Sequence, residues 1–205
     1  MSVEVCTLKI LHISDTHGKH RELNTLPTAD VLVHSGDFTM GGSDSEALDF
    51  LEWLCILPYN HKIFIAGNHD DCMMDATLEG LPDGVHYLAD SGVCIDGVYF
   101  YGMPMFCGVA NGKMQEIERC GDIPNKVDVL ITHRPPFGIL DGDENKHFGS
   151  ASLLHKIIDI QPHVHLFGHA HKGYGMKEWK KIIFSNASVV DENYNITNAA
   201  KLISY

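Results

Sequence analysis

The chain has 205 residues and the composition of an ordinary globular protein, which suits a single domain with a sizeable core. Its formal net charge of −12 argues against a nucleic-acid polymer as partner, because polyanions attract surfaces rich in lysine and arginine. No apolar run approaches the ~18 residues of a membrane span, so we expect no contact with a membrane.

Short apolar, β-branched runs recur along the chain, and most of them are followed by Gly, Asp, Asn or His. This pattern is typical of buried strands that open into functional loops. The predicted strands are Leu8–Ser14, Val31–Ser35, Lys62–Ala66, Val93–Ile95, Val98–Gly102, Val127–Thr132, Val164–Phe167, Lys181–Ser185 and Lys201–Ser204.

Two helices are predicted between these strands, and a weaker one over Lys113–Arg119. Ser43 and Glu46 form a capping box at the start of the first, which Pro58 ends. Its predicted apolar face is Ala47, Leu48, Leu51, Leu54 and Cys55. The second helix begins near Ser150 and stops before Pro162, with Leu153, Leu154, Ile157 and Ile158 as its apolar face. The strand-rich later half favours a core of sheet packed on sheet, with helices outside.

Polar side chains suited to holding metals follow five of the predicted strands. The segments are Asp15-Thr16-His17, Gly36-Asp37, Gly67-Asn68-His69-Asp70, Thr132-His133 and Gly168-His169-Ala170-His171. Loops at strand ends gather the chemistry of open α/β sheets. Carboxylate, amide oxygen and imidazole are ligands that divalent ions such as Mn²⁺, Fe²⁺ or Zn²⁺ accept. Together these segments predict a two-metal phosphate site.

The order of these motifs resembles the calcineurin-like metallophosphoesterase superfamily, from Asp15 to the segment around Asn186. Longer strings, such as Ile13–His17 and His133–Pro136, are similar to the small, cap-less branch of metallophosphoesterase domain-containing proteins. The resemblance implies an α/β fold, a four-layer α/β/β/α sandwich of two packed mixed β-sheets flanked by helices. It also implies one domain over residues 1–205 with no cap domain.

The resemblance further implies a role for each motif residue. Asp15, His17 and His171 would hold one metal, and Asn68, His133 and His169 would hold the second. Asp37 would bridge the two ions, and His69 would act as general acid near the scissile phosphate. Mn²⁺ is the expected metal, although Fe, Zn or Co suits the same ligands. Both metal sites look complete in this chain.

The expected activity is hydrolysis of a small-molecule phosphate ester by in-line attack of a hydroxide held between two metals. A phosphodiesterase acting on small substrates such as cyclic nucleotides is favoured. The alternatives are a phosphomonoesterase and, from another class, a noncatalytic metal-binding interaction subunit. No basic n-region precedes a long apolar stretch, and the six cysteines form no CxxC pair, so a cytoplasmic location is expected.

Several residues keep two interpretations. Arg134 could contact a substrate phosphate beside Asn68 and His69, or could hold its own loop. Asn186 could serve the site or a turn, and His34 and His165 are interpreted as packing residues near the ligands. The connections Met103–Cys120 and Leu140–Gly149 are candidate substrate rims. Candidates for stacking on a base are Phe137, Tyr174 and Trp179, for which packing is the alternative. The residue that orients His69 stays open.

Overall fold

Two mixed β-sheets packed face to face form the centre of the protein in a computed structural model that describes residues 7–110, 113–116, 119–143 and 146–205. The first eight strands are β1 (Lys9–Ile13), β2 (Val31–His34), β3 (His61–Phe64), β4 (Val85–Tyr87), β5 (Ser91–Ile95), β6 (Val98–Met103), β7 (Cys107–Ala110) and β8 (Lys113–Glu116). The others are β9 (Val129–Thr132), β10 (Gly142–Asp143), β11 (Lys146–His147), β12 (Val164–Phe167), β13 (Gly175–Trp179), β14 (Ile182–Asn186) and β15 (Lys201–Ser204).

The first sheet has the order β15-β1-β2-β3-β4, in which β15 is antiparallel to β1 and the other neighbours are parallel. The second has the order β13-β14-β12-β9-β6-β5, parallel except at its two edge pairs. Two short hairpins, β7–β8 and β10–β11, stand apart from both sheets. All nine predicted strands are present, whereas β4, β13 and the two hairpins were not anticipated.

Three apolar layers separate the elements, because side chains alternate between the two faces of each strand. In β1, Leu11 and Ile13 pack with helix α1 (Asp44–Ile56) on the outer side of the first sheet. Ile10, from the opposite face, packs between the two sheets with Phe100 and Val129 of the second. The outer face of the second sheet packs against helix α2 (Ala151–Ile160). The four-layer α/β/β/α prediction is therefore confirmed.

Both helices begin where the capping residues predict. Ser43 forms the capping box with Glu46, and the Ser150 hydroxyl accepts from the backbone N–H of Leu153. Helix α2 ends at Gln161, a left-handed C-cap directly before Pro162. No helix in the described ranges is long and apolar enough to cross a membrane.

Two details of the predicted helices are wrong. Leu48 of α1 is 60% exposed, whereas Phe50 and Trp53 are buried. The Phe50 ring stacks on Phe38 with centroids 4.3 Å apart, and burying these larger aromatic surfaces decides which way the helix turns. The weak helix predicted from Lys113 to Arg119 is strand β8 over its first four residues, paired antiparallel with β7, and residues 117 and 118 of the prediction lie outside the described residues. Two apolar residues in that stretch, Met114 and Ile117, are too few to anchor a helix.

Candidate metal centre

The parallel strands of both sheets end at one edge of the sandwich, and that edge carries the five segments. The Ser14 amide donates to the Ala187 carbonyl, and the Val189 amide donates to the Ser14 carbonyl. These two bonds join the end of β1 in the first sheet to the segment after β14 in the second. Loops from both sheets thus meet above one seam, as expected where strands end in open α/β sheets.

Three overlapping groups of potential metal ligands lie at this seam, with ligand atoms in each group within 4.8 Å of one another. The groups are Asp15, His17 and His171; His17, Asp37 and His69; and Asp37, His133 and His169. Six of the seven predicted ligands therefore come together with the predicted acid, His69. Asn68, the seventh, precedes His69 on the loop after β3, and its side-chain oxygen Oδ1 is buried with no hydrogen-bond partner in the described chain.

Asp37 lies between two ligand clusters, which are the side chains predicted for each metal: Asp15, His17 and His171 in the first, and Asn68, His133 and His169 in the second. Its Oδ2 is 3.8 Å from Nε2 of His17 and 3.1 Å from Nε2 of His133. Its other oxygen, Oδ1, accepts from the backbone N–H of His69 at 2.8 Å. One carboxylate oxygen thus faces a histidine of each cluster while the second is held by the backbone, which is the orientation that a bridging ligand needs.

Backbone carbonyls determine which nitrogen of three histidines carries hydrogen. Nδ1 lies 2.9 Å from a carbonyl oxygen in each case: Met40 for His69, Ser35 for His133 and Asp191 for His171. A carbonyl can only accept, so Nδ1 must donate, and the lone pair of the neutral ring is on Nε2. In His133 and His171 this nitrogen faces Asp37 and Asp15 respectively. The hydrogen bond from Nδ1 to the Met40 carbonyl therefore orients the His69 ring.

Four of the predicted ligands have a left-handed backbone. The φ angles are +56° at Asp15, +43° at His17, +57° at Asp37 and +65° at His169. Such values are uncommon outside glycine and often mark functional positions. Bonds between loops hold them: the Asp15 amide donates to the Gly36 carbonyl and the His17 amide to the Asp37 carbonyl, both at 3.0 Å.

Gly36 and Gly168 directly precede two of these ligands, and neighbouring side chains approach both glycines too closely for any other residue. A β-carbon on Gly36, which has φ +102°, would lie 2.6 Å from Nδ1 of His133. A β-carbon on Gly168 would overlap the side chains of Ser14 and Asp15. Each glycine therefore lets the loop of one strand come within contact distance of the ligands of another.

Asp70 ties the second and third segments together. Its Oδ2 accepts from the backbone amides of Asp37 at 2.9 Å and Gly67 at 2.8 Å, and its Oδ1 accepts from the amide of Thr39 at 2.8 Å. Asp70 is fully buried. Its position beside His69 in the sequence gives no indication of this role, because Asp37 and Thr39 lie 33 and 31 residues away in the chain.

The charged groups create a site that stabilises positive charge. Burial raises the pKa of Asp15, but His171, His133 and His17 outweigh burial and leave this pKa well below its usual range. Burial lowers the pKa of His133, yet the Asp37 carboxylate outweighs it and raises the pKa to about 10. His169 has fewer compensating charges, so burial lowers its pKa to about 4. Ionised carboxylates thus lie beside an imidazole that is neutral at pH 7.

The residues present fit a pair of divalent cations. Besides Asn68 Oδ1, the buried atoms that find no hydrogen-bond partner in the described chain include both ring nitrogens of His17. Buried polar atoms are normally satisfied, so their concentration at one place indicates a missing electrophilic partner. Mixed oxygen and imidazole donors suit Mn, Fe, Zn or Co.

Other residues of the predicted site have structural partners. Arg134 donates from Nε to the Phe148 carbonyl at 2.8 Å, which holds its neighbouring loop. Asn186 donates from Nδ2 to the carbonyls of Leu140 at 3.0 Å and Ala170 at 2.8 Å, and so fixes the loop that carries His169 and His171.

The two histidines interpreted as packing residues are buried on the strands below the site. His34 pairs with the Thr16 hydroxyl at 3.0 Å, and His165 pairs with the Thr132 hydroxyl at 2.9 Å. Both partners directly neighbour predicted ligands in the sequence, so these histidines support the loops from beneath.

Tyr194 was missed by the sequence analysis. Its ring centroid lies 4.8 Å from that of His17, 5.6 Å from that of His171 and 6.4 Å from that of His69. Its φ of +60° is unusual for a tyrosine, and its amide donates to the Asp191 carbonyl. A lone tyrosine in a polar loop carries no sequence signal for this position.

Comparisons with known proteins identify the family of this chain. The family model for calcineurin-like phosphoesterases matches residues 8–173. UPF0046 protein K07C11.7 of Caenorhabditis elegans is 37% identical over 210 residues, covering 92% of this chain and 72% of that protein. Metallophosphoesterase domain-containing protein 1 of Homo sapiens is 36% identical over 221 residues, covering 91% of this chain and 67% of that protein.

A solved crystal structure is similar in fold, with a TM-score of 0.66 at 15% identity over 97% of this chain and 99% of that one. The family model spans most of the chain, and the seam holds groups of side chains that could bind metal ions. The chain therefore belongs to the calcineurin-like phosphoesterase family.

Proposed function

We propose that this phosphoesterase is a phosphodiesterase that hydrolyses small diesters such as cyclic nucleotides with two divalent metal ions, Mn²⁺ foremost, in the cytoplasm. The observation that carries the proposal is Asp37, whose Oδ2 faces a histidine of each ligand cluster. One ion would be held by Asp15, His17 and His171, the other by Asn68, His133 and His169, with Asp37 common to both.

When bound, two such ions lower the pKa of a shared water, clamp phosphoryl oxygens and offset charge during an in-line displacement. The residues of the chain supply the remaining requirements. Asp15 and Asp37 are buried with lowered pKa values, and Nε2 of His171 and of His133 lies 3.6 Å and 3.1 Å from their respective carboxylate oxygens. The centre is therefore organised before substrate arrives, which avoids reorganisation during the reaction.

His69 is the proposed general acid. Its Nδ1 donates to the Met40 carbonyl, so Nε2 is the nitrogen that can take up and release a proton. The ring packs edge-on against His17 with centroids 4.7 Å apart, which keeps it beside the first ligand cluster. A proton on Nε2 would pass to the oxygen that leaves phosphorus.

The test is a screen of the Mn²⁺-loaded protein against bis-p-nitrophenyl phosphate, p-nitrophenyl phosphate and cyclic nucleotides. We expect faster turnover of the diesters. His69→Asn should lower kcat on cyclic nucleotides by about 10²–10⁴-fold, because an alcohol leaves poorly without a proton. The loss should be smaller with p-nitrophenyl esters, since p-nitrophenolate leaves unprotonated.

His155→Asn is the matched control, because His155 is exposed on α2 and outside the ligand groups. Faster cleavage of the monoester would make the protein a phosphatase instead. If no ester were hydrolysed and His69→Asn changed only the binding of a protein partner, the protein would be an interaction subunit.

A further inference from the structure

A small cavity of about 220 Å³ adjoins the candidate metal centre on the side of His169 and His171. Its other lining residues are Asp143, Lys146, Phe148, Lys172 and Glu192. Pockets for drug-sized molecules enclose ~300–1,000 Å³, so this cavity suits one planar ring system. Phe137, Tyr174 and Trp179, the aromatic residues that the sequence suggested for stacking, do not line it.

Phe148 forms an aromatic wall of the cavity. Its ring is half-buried and stands perpendicular to that of His169, with centroids 6.0 Å apart. Its amide donates to the Asp141 carbonyl at 2.8 Å, and its carbonyl accepts from Arg134 at 2.8 Å. The backbone of Phe148 is fixed on both sides, so little ordering is needed when a ligand stacks on the ring.

The charges around the cavity compensate one another. Nζ of Lys172 lies 2.9 Å from Asp143 and 3.1 Å from Glu192. With Lys146, the described residues that line the cavity supply two ammonium groups and two carboxylates, whose formal charges cancel. Such a rim offers no excess positive charge for a second phosphate, and it favours an uncharged ligand group.

Lys146 does not block access to Phe148. Its ammonium lies 4.4 Å from the centroid of the ring, but the side chain is exposed. A cation–π contact at an exposed site is weaker than the stacking of a nucleobase on an aromatic ring. A base can therefore displace Lys146 from the ring.

The cavity lies away from the proposed acid. His69 does not line it and packs instead against His17 and Tyr194. The group that leaves phosphorus must lie beside the proton donor. The cavity is thus positioned for the ester arm that stays on phosphorus.

We propose that this cavity binds the base of a nucleoside on the retained arm of a phosphodiester, stacked on Phe148. The inference rests on the proposed phosphodiesterase function. Water adds its oxygen to phosphorus, and the bond from phosphorus to the leaving oxygen breaks. That oxygen takes a proton from His69, and one proton of the water restores His69 through solvent. An acyclic diester gives a nucleoside monophosphate and an alcohol, whereas a cyclic nucleotide gives a nucleoside monophosphate that keeps the new hydroxyl group.

The experiment compares two diesters with the same leaving group, p-nitrophenyl thymidine 5′-phosphate and methyl p-nitrophenyl phosphate, on the Mn²⁺-loaded protein. We expect kcat/KM to favour the thymidine ester by about ten-fold or more. Phe148→Leu should lower this ratio about five- to ten-fold, and Phe148→Tyr, which keeps the ring, should preserve it. Phe137→Leu, at an exposed phenylalanine outside the cavity, should also preserve the ratio.

Binding of thymidine 5′-phosphate and of methyl phosphate, measured by calorimetry, gives a second readout that needs no turnover. Tighter binding of thymidine 5′-phosphate that Phe148→Leu abolishes supports the subsite. If Phe148→Leu changes neither the ratio of the two kcat/KM values nor the binding preference, the subsite is overturned, even if both diesters are cleaved. Absence of diester turnover with an intact, Phe148-dependent binding preference would refute the diesterase proposal and keep the subsite. If the Phe148→Leu variant does not fold, the native protein decides. Equal kcat/KM values for the thymidine and methyl esters would then overturn the inference.

Discussion

At the scale of single residues, the ligand set depends on which nitrogen of each imidazole is free. Main-chain carbonyls accept from Nδ1 of His69, His133 and His171, so Nε2 of each ring is available. Such outer hydrogen bonds fix the tautomer and the ring orientation of metal-binding histidines. The backbone therefore determines much of the chemistry that the side chains can perform.

Asp37 is the residue whose loss should affect both ions. Asp37→Asn removes the charge that faces a histidine of each cluster, so we expect both Mn²⁺ affinities to fall by more than the ~10–100-fold typical of an outer partner. Elemental analysis after equilibration at a fixed concentration of free Mn²⁺ measures the number of Mn²⁺ ions bound per chain. The Mn²⁺-dependent rise in Tm should disappear as well.

Asp75→Asn is the matched control for this change. Asp75 also has a positive φ, of +58°, but it is exposed and outside the ligand groups. Two tightly held ions in Asp37→Asn would rule out a bridging role for this carboxylate.

At the scale of elements, helix α1 begins and ends by different means. Its start is capped by Ser43 and Glu46, which are neighbours in the sequence. Near its end, the ammonium of Lys62 on β3 donates to the carbonyls of Cys55 at 3.2 Å and Leu57 at 3.0 Å. A cation at this end also interacts favourably with the helix dipole. The sequence revealed the first cap but not the second.

Lys62→Met tests the second cap. Methionine keeps much of the apolar stem and removes the charge, which leaves two carbonyls without their donor. We expect the free energy of unfolding to fall by about 1.5–3 kcal/mol, seen as a lower urea midpoint at unchanged slope. Lys177→Met, on an exposed position of β13, should change it by less than about 0.5 kcal/mol. Equal effects of the two substitutions would refute the cap.

At the scale of the whole molecule, one buried imidazole links the two sheets beneath the candidate metal centre, and two others lie within single sheets. His12, on the inner face of β1, pairs with Ser35 at 2.8 Å and with Ser185 of the second sheet at 2.9 Å. Burial lowers the pKa of His12 well below its usual value, and it lowers the pKa of His34 and of His165 to about 3. These groups stay neutral in the folded protein at pH 7.

These histidines should make the protein sensitive to acid. Below the unfolded pKa of ~6.5 the unfolded chain binds protons that the folded chain does not, so stability is present above pH 6.5 and is lost as pH falls toward 3. His165 alone contributes a slope of up to about 1.4 kcal/mol per pH unit.

The difference between the native protein and His165→Gln isolates this contribution, since glutamine can keep the bond to Thr132. We expect the variant to gain stability relative to the native protein, by that slope, between pH 6 and pH 4. Urea unfolding at several pH values measures the difference. Parallel pH profiles would show that His165 is not held neutral.

Much of the fold followed from local signals. Apolar runs gave nine of the eleven strands of the two sheets, and capping residues gave the first residue of each helix, because these signals arise within a few residues. The face that α1 buries did not follow, since Phe50 is buried by stacking on Phe38 of the preceding loop, a contact that helical periodicity does not encode. The β7–β8 hairpin was also not predicted, because its antiparallel strand pairing outweighs the weak helical propensity of residues 113–116.

The sequence by itself determined the family, since the types of the candidate ligands and their order along the chain can be read without the tertiary structure. Only the tertiary structure brought Met40, Asp191 and Tyr194 to the histidines, made Asp70 a link between loops, and opened a cavity beside Phe148. The physical reason is that metal ligation is encoded by side-chain type, whereas orientation and pocket shape arise from contacts between residues far apart in the chain.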